Sequence, residues 1–536
     1  MKRMIILTIC LSVFLGLLSG CAAENSPYVP TGDALIYDDS ELDATVSDED
    51  AEPQELSLAY YADRSLNPFA CKDYTNRTLF SLIYQGLFSV NRDYEAVPIL
   101  CDRFEINEDY DQYTFYIASD ATFSDGSRVT IDDVLASYNA AKESDYYGGR
   151  FTHISDISMS GDGGITFSLS TEMESLTLLL DIPIVKATEV NAATPLGSGP
   201  YVLESSVTGA RLRRNQGWWC TNSDLVVTAS SIPLVEAESN TQIRDEFEFY
   251  DVGLVCADPC SDSYADFRCD YELWECENGI FIYLGVNVAY SDVFEDNANL
   301  RANLTYAIDR DSLAENNYRG FARAVTLPAS PSSPYYSTGL AAKYEYDPIK
   351  FVQAVSAIAT PEEPVELLVN RDDSLRLRTA RDIADMLTES GLETVTVEKN
   401  SHDYLEYITA GNYDLYLGQT RLSPNMDLSE FFRPWGKMSY NGISDAAIYS
   451  LCKDALENSG NYYNLHQAVA NDGRIVPILF CSYAIYAERG LLTDLQPSRD
   501  NVFFYTLGRT EDDALIPIDY SALASDESDG EDDAAG

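Results

Sequence analysis

Tyr113-Thr114-Phe115-Tyr116-Ile117, then Phe123-Ser124-Asp125-Gly126-Ser127, then Val129-Thr130-Ile131-Asp132-Asp133-Val134 place three structural signals in a row. The aromatic and β-branched run predicts a half-buried strand. Ser124-Asp125-Gly126-Ser127 predicts a turn, in which Asp125 bonds nearby backbone and Gly126 takes a positive φ at no steric cost. Thr130 with Asp133 three residues on resembles a capping box, so a helix opens there with Ile131, Val134, Leu135 and Tyr138 on one face.

Outward from this stretch the same grammar continues. Upstream, Leu56 to Tyr61 reads as a strand, Leu66-Asn67-Pro68 as a turn, and Leu79, Leu82, Ile83 and Leu87 as a helix interrupted at Gly86. Downstream, Gly197-Ser198-Gly199-Pro200-Tyr201 allows a tight backbone passage into the strand Tyr201-Val202-Leu203. Leu300, Leu304, Ala307 and Ile308 form one helical stripe, and Ala380, Ile383, Ala384 and Leu387 form another that stops at Gly391. Strands at Val395-Thr396-Val397 and Tyr413-Asp414-Leu415-Tyr416-Leu417 follow, so strands and helices alternate as in α/β proteins. No short-period repeat is visible.

The ends differ in kind. Lys2 and Arg3 precede an apolar run from Met4 to Leu18, which ends in Leu18-Ser19-Gly20-Cys21. This is a signal-peptide layout, and the run is too short for a spanning helix; residues 1–20 are read as a signal peptide. Leu-Ser-Gly-Cys looks like a bacterial lipobox, in which cleavage exposes Cys21 and its thiol carries lipid. The other reading is an ordinary secretory signal with an incidental cysteine. Residues 21–55 are acidic, hold no Lys or Arg and have few large apolar groups, the composition of a lipidated, solvated tether. Residues 511–536 hold ten acidic groups and no basic ones and are read as an acidic disordered tail.

The formal net charge is −52, which excludes nucleic acid as a partner. Between the tails lies enough chain for two or three domains with real cores. Of eleven cysteines, removal of Cys10 and the anchor Cys21 leaves nine, an odd number that prevents complete internal pairing. Cys256, Cys260, Cys269 and Cys276 are expected to form one or two local disulfides or to stay free. A metal site fits less well, because the spacing lacks paired C-x2-C and no His lies nearby.

One resemblance ties these features together. Ser65-Leu66-Asn67-Pro68, Ile83-Tyr84-Gln85-Gly86-Leu87, the strand-turn-helix stretch quoted first, Gly197-Ser198-Gly199-Pro200-Tyr201, Leu284-Gly285-Val286-Asn287, Leu300-Arg301-Ala302 with Tyr306-Ala307-Ile308-Asp309-Arg310, and Gly411-Asn412-Tyr413-Asp414-Leu415 occur in this order across nearly the whole folded region. In this the chain resembles family 5 of bacterial extracellular solute-binding proteins, the group of oligopeptide-, dipeptide- and nickel-binding receptors. The resemblance implies a two-lobed α/β type II periplasmic-binding-protein fold with a hinge. Lobe I is expected from 56–90, 191–285 and 476–510, with an extra family-type domain at 91–190, and lobe II from 286–475. The chain would cross the hinge near Gly285 to Asn287 and again near Val476 to Cys481. Asp309 and Arg310 are read as fold-maintaining ion partners.

Catalytic chemistry has little to stand on. The three histidines, His153, His402 and His466, are far apart, and no H-E-x-x-H, phosphate loop, G-x-S-x-G or dinucleotide fingerprint occurs. No catalytic residue, metal or cofactor is expected. The site implied by the resemblance is instead a cleft, with ligand contacts after the first turn (Lys72, Asp73, Tyr74) and after Asp414 (Gln419, Thr420, Arg421). In peptide-binding members an acidic residue just beyond the second segment takes the peptide's amino group. Here Leu422 stands in that place, with Arg421 beside it and Asp427 further on. Arg421 has a planar fork suited to a carboxylate or phosphate, and Lys72 adds a second cation; the alternative is that both are solvated or internally paired. Tyr147 and Arg150 are further candidates from the loop before Phe151.

The function expected is that of a substrate-binding lipoprotein of an ABC importer. It would be monomeric, extracytoplasmic and anchored to the cell membrane through Cys21, and it would pass a peptide or similar small solute to the permease subunits. A sensory or chaperone-like lipoprotein on the same scaffold is the alternative, and an enzyme is the reading least supported.

Overall fold

Two long strands, Tyr271–Val286 and Ile475–Glu488, run antiparallel through the centre of an eleven-stranded sheet. The computed structural model describes residues 55–207, 209–220, 223–259 and 267–507. The expected signal peptide, Cys21, the tether up to residue 54 and the acidic tail lie outside the described residues. Among the described residues no helix is long and apolar enough to cross a membrane.

The pairing of the two strands has two parts. Tyr271 to Glu277 pairs with Glu488 back to Ser482, the register slips between Glu277 and Phe281, and Phe281 to Gly285 then pairs with Phe480 back to Ile475. Gly279 sits at the slip with φ of +71°, a left-handed conformation that glycine takes without strain. On one side of the slip the sheet continues through Leu254–Ala257, Leu58–Tyr60, Ser231–Glu236, Gly209–Arg214 and Tyr201–Ser206. On the other it continues through Leu415–Arg421, Val365–Asn370 and Thr394–Lys399.

This corrects the position of the first crossing. Gly285 pairs with Tyr416 and Ile475, well inside the second half, and the chain changes halves earlier, at Asn278-Gly279. A strand that stays continuous through the crossing offers no turn to read, and a glycine within a strand pattern marks a bulge. The return falls at Cys481 to Ser482, at the edge of the expected stretch.

Each half buries both faces of its sheet. In the second, Ile282, Leu284, Leu367 and Leu415 enter one core while Phe281, Tyr283, Leu368 and Tyr416 enter another. In the first, Leu58, Leu254 and Ile485 go one way and Ala59, Val255 and Ala484 the other. Strand side chains alternate between faces, so such runs are apolar throughout and need covering on both sides. The helices Ser374–Glu389 and Ser401–Ala410 supply part of that cover, each opened by a side-chain cap, Asp373 and Asn400.

The opening stretch folds as read. Gln112–Ile117 is a strand, Gly126 has φ of +82°, and Thr130 N–H donates to the Asp133 carboxylate at 2.9 Å ahead of the helix Ile131–Lys142. The strand belongs to a separate four-stranded antiparallel sheet with Cys101–Ile106, Ile154–Met159 and Ile165–Leu169. Its core is built on Phe115, Phe167 and Tyr138.

The other motifs prove to be contacts within the scaffold. A Cβ on Gly197 or Gly199 would overlap the Ile83 backbone, and Gly199 N–H donates to the Ile83 carbonyl at 2.9 Å. Asn67 clamps the carbonyls of Val190 and Ala192 at 2.7 and 2.8 Å. Asn287 does the same to Gly411 and Tyr413 at 3.0 and 2.7 Å, which joins two of the motifs. Asp309 and Arg310 hold the fold, but not as ion partners. Asp309 caps the helix Arg310–Tyr318, and the buried Arg310 guanidinium donates to the carbonyls of Pro477 and Thr305 at 2.8 and 2.9 Å.

Candidate functional site

The strand Leu415–Arg421 lies beside Tyr271–Val286 just past the slip, with Arg421 paired to Ile280 and Gln419 to Ile282. Its C-terminal end therefore points at the seam between the halves. A tight turn from the other half meets it there: Ser498 and Asn501 exchange backbone hydrogen bonds of 2.9 and 3.1 Å, which puts Arg499 and Asp500 at the tip.

Asp500 is the centre of the meeting. Its carboxylate pairs with Arg421, accepts from Arg150 Nη2 at 2.8 Å and from the Tyr146 hydroxyl at 2.5 Å, and lies 3.7 Å from Arg499 Nε. Burial works to raise the Asp500 carboxyl, but Arg421, Arg150 and Arg499 outweigh it and hold the group well below the usual carboxylate range. Burial likewise works against charge on Arg421, and Asp500 reverses the balance, so that guanidinium binds its proton more tightly than usual. Arg421 and Arg77 both lie over the Tyr146 ring, 4.4 and 3.5 Å from its centroid.

Arg499 completes the seam. It donates to the Leu422 carbonyl across the boundary and occupies the space that a side chain on Gly279 would fill. Two cavities flank this knot. One, of about 70 Å³, is lined by Tyr74, Arg77, Tyr146, Tyr147, Ser498 and Asp500 among others. The second, of about 320 Å³, takes walls from both halves: Asp258 from one, Asp372, Asp373 and Gln419 from the other, and Asn278 and Tyr483 from the joining strands. Tyr483, which lines the second, and Tyr74, which lines the first, lie 3.9 Å apart between ring centroids.

Of the nine residues named from sequence, Tyr74, Tyr147, Arg150, Gln419 and Arg421 come together here, and Thr420 is the half-buried neighbour of the last two. Arg421 and Arg150 are internally paired rather than free forks. Lys72 is not part of the seam; it pairs with Asp145 at 3.0 Å with both side chains more than four-fifths exposed. Asp73 caps the short helix Tyr74–Arg77 and pairs with Arg64. Asp427 is half-buried, pairs with His153 at 3.0 Å and accepts from Ser429 N–H. These three are polar residues with local structural partners, which sequence alone does not separate from ligand contacts.

Sequence reading missed Asp500, Arg499, Tyr146, Arg77 and Tyr483. Tyr146 stood next to a named residue. Asp500 carried no signal among 87 acidic groups, since its role depends on Arg150 and Arg421, both distant in sequence, as well as on its neighbour Arg499. Of the two cysteine outcomes left open, the described residues show the free one: Cys256, Cys269 and Cys276 are free thiols, and Cys260 lies outside the described residues. Cys256 and Cys276 sit on opposite sides of the strand Ile475–Glu488, two strand spacings of about 4.8 Å apart, too wide for a disulfide. Burial pushes the Cys256 thiol up to about 12.

The family described as bacterial extracellular solute-binding proteins, family 5, middle part, matches residues 95–442, more than half of the chain. The chain belongs to this family. As a family 5 protein it is 25% identical over 306 residues to the glutathione-binding protein GsiB of Pectobacterium atrosepticum, 53% of this chain and 57% of GsiB. It is 27% identical over 180 residues to a binding protein of Brucella melitensis, 29% of each. The chain thus spans under a third of the Brucella protein and little more than half of GsiB. Among solved structures, HbpA2 of Haemophilus parasuis matches with a TM-score of 0.70 at 17% identity, covering 85% of this chain and 99% of that one. The oligopeptide-binding protein AppA of Bacillus subtilis, in complex with a nonapeptide, matches at 0.59 and 18%, covering 85% and 100%. The fold is therefore the two-lobed one of these proteins.

Proposed function

We propose that this protein is the solute receptor of an ABC-type importer, which captures a peptide or similar small molecule between its lobes and hands it to the permease subunits. The observation that carries this reading is the cavity of about 320 Å³ with walls from both lobes, set where the joining strands change partner. A hinge at that point lets two lobes close on a solute and shield it from water. The family membership supports the reading, as do the nonapeptide in the AppA complex and the glutathione binding that names GsiB.

In this reading lobe I comprises 56–90, 191–277 and 482–507, the extra domain 91–190, and lobe II 281–480. Gln419, Asn278 and Tyr483 are among the side chains that would touch the solute. The receptor acts as a monomer by binding rather than catalysis, and lipid on Cys21 holds it at the outer face of the cell membrane with residues up to 55 as its tether.

Native mass spectrometry of gently purified protein lacking residues 1–21, followed by identification of whatever is released, tests this. A co-purified peptide or other small solute is the expected result. A clean empty mass together with no thermal shift across a peptide library would count against it.

A further inference from the structure

Arg150, Arg421 and Arg499 come from three separate segments and converge on the single carboxylate of Asp500. Arg150 also pairs with Asp181, so three guanidiniums share two carboxylates in a protein whose net charge is −52. Arg499 Nε and Nη1 are buried without a hydrogen-bond partner, which leaves cationic donors able to take a further anion.

Arginine pairs bind carboxylate and phosphate groups by giving each oxygen its own N–H donor. Asp500 is held in that manner, with Oδ2 on Arg150 and Oδ1 on Arg421 and the Tyr146 hydroxyl. The chain thus fills an anion position with its own residue, delivered on the tip of a two-residue turn. Asp500 also lines the adjoining cavity of about 70 Å³, together with Arg77, Asp181, Ser498 and Asn501.

We propose that Asp500 keeps anionic groups out of the lobe seam: it occupies the place between Arg150 and Arg421 that an anionic group of a solute would take. The inference rests on the reading of the lobe seam as the solute cleft. Asp500→Ala leaves the arginines facing an empty place and turns it into an anion site.

Inorganic phosphate is the probe, because it fits the vacated position and its binding needs no knowledge of the natural solute. Titration calorimetry and thermal shift are run on wild type, D500A and D500A/R421Q. Expected are no saturable phosphate binding by wild type, binding by D500A at least about tenfold tighter, and loss of that gain in D500A/R421Q. Equal phosphate response of wild type and D500A, or a gain that survives R421Q, overturns the proposal. If D500A is too unstable to purify, D500A/R499Q removes one guanidinium with the carboxylate and carries the same comparison. Failure of the receptor reading would show separately, as no peptide or solute binding by wild type, whatever the phosphate result.

Discussion

Tyr483, on the strand that returns from lobe II to lobe I, stacks on Tyr74 of the helix Tyr74–Arg77 with ring centroids 3.9 Å apart and planes tilted by 37°. The contact joins a side chain that lines the larger cavity to one that lines the smaller. The contact is between the two rings, so its loss is expected to follow the ring rather than the hydroxyl. Y483A is expected to cost about 2–4 kcal/mol in urea unfolding, and Y483F less than about 0.5 kcal/mol. Equal losses in both variants would place the effect on the hydroxyl instead.

His466 is fully buried on the helix Tyr462–Asp472, and neither ring nitrogen has a hydrogen-bond partner. Burial holds its imidazole down at about 3. Below about pH 6.5 the unfolded chain takes up a proton that the folded one refuses, so stability falls with pH between 6.5 and 3 by about 1.4 kcal/mol per unit from this group. H466L is expected to keep or raise stability at pH 7.5 and to lose one proton's worth of the decline measured at pH 5. An unchanged slope would show that His466 titrates normally.

Gly197 passes so close to the Ile83 carbonyl that an added Cβ would overlap it. G197A is expected to destabilise by about 2–3 kcal/mol through overpacking. G149A, where the same Cβ meets nothing within 4 Å, serves as the control and is expected to change stability by less than about 1 kcal/mol. Chemical denaturation of the pair checks the contrast.

Cys21→Ala, expressed with its leader, is expected to move the protein from the detergent phase to the aqueous phase in a two-phase extraction, without altering its thermal unfolding. Continued partition of C21A into detergent would remove the lipid anchor from the reading.

Much of the scaffold was legible because its signals are local. The Thr130–Asp133 cap, the Gly126 turn and the stripe Ala380, Ile383, Ala384 and Leu387 each depend on residues within a few positions of one another, and all four stripe residues are buried. The stripe through Leu300 to Ile308 was legible as buried but not as broken: the α-helix ends at Asn303 and tightens into a 3-10 turn before Asp309 opens the next helix. Periodicity reports which side chains face the core and says little about where hydrogen bonding changes.

The site was legible only in part. The resemblance named Arg421 and Gln419 on the segment after Asp414, but whether Arg421 is free or paired turns on Asp500, 79 residues further along. Lys72, Asp73 and Asp427 have the chemistry of ligand contacts and the partners of ordinary structural residues, Asp145, Arg64 and His153.

By itself the sequence determined the α/β class, the order of strands and helices and the glycines that let backbones approach, because each is set by neighbours along the chain or by the bare size of a residue. Only the tertiary structure decided where the chain crosses between lobes, which cysteines stay apart and which carboxylate neutralises the arginines of the seam. Those depend on sheet register and on charges brought together from segments hundreds of residues apart, and electrostatic pairing in a buried seam follows distance in space rather than distance in sequence.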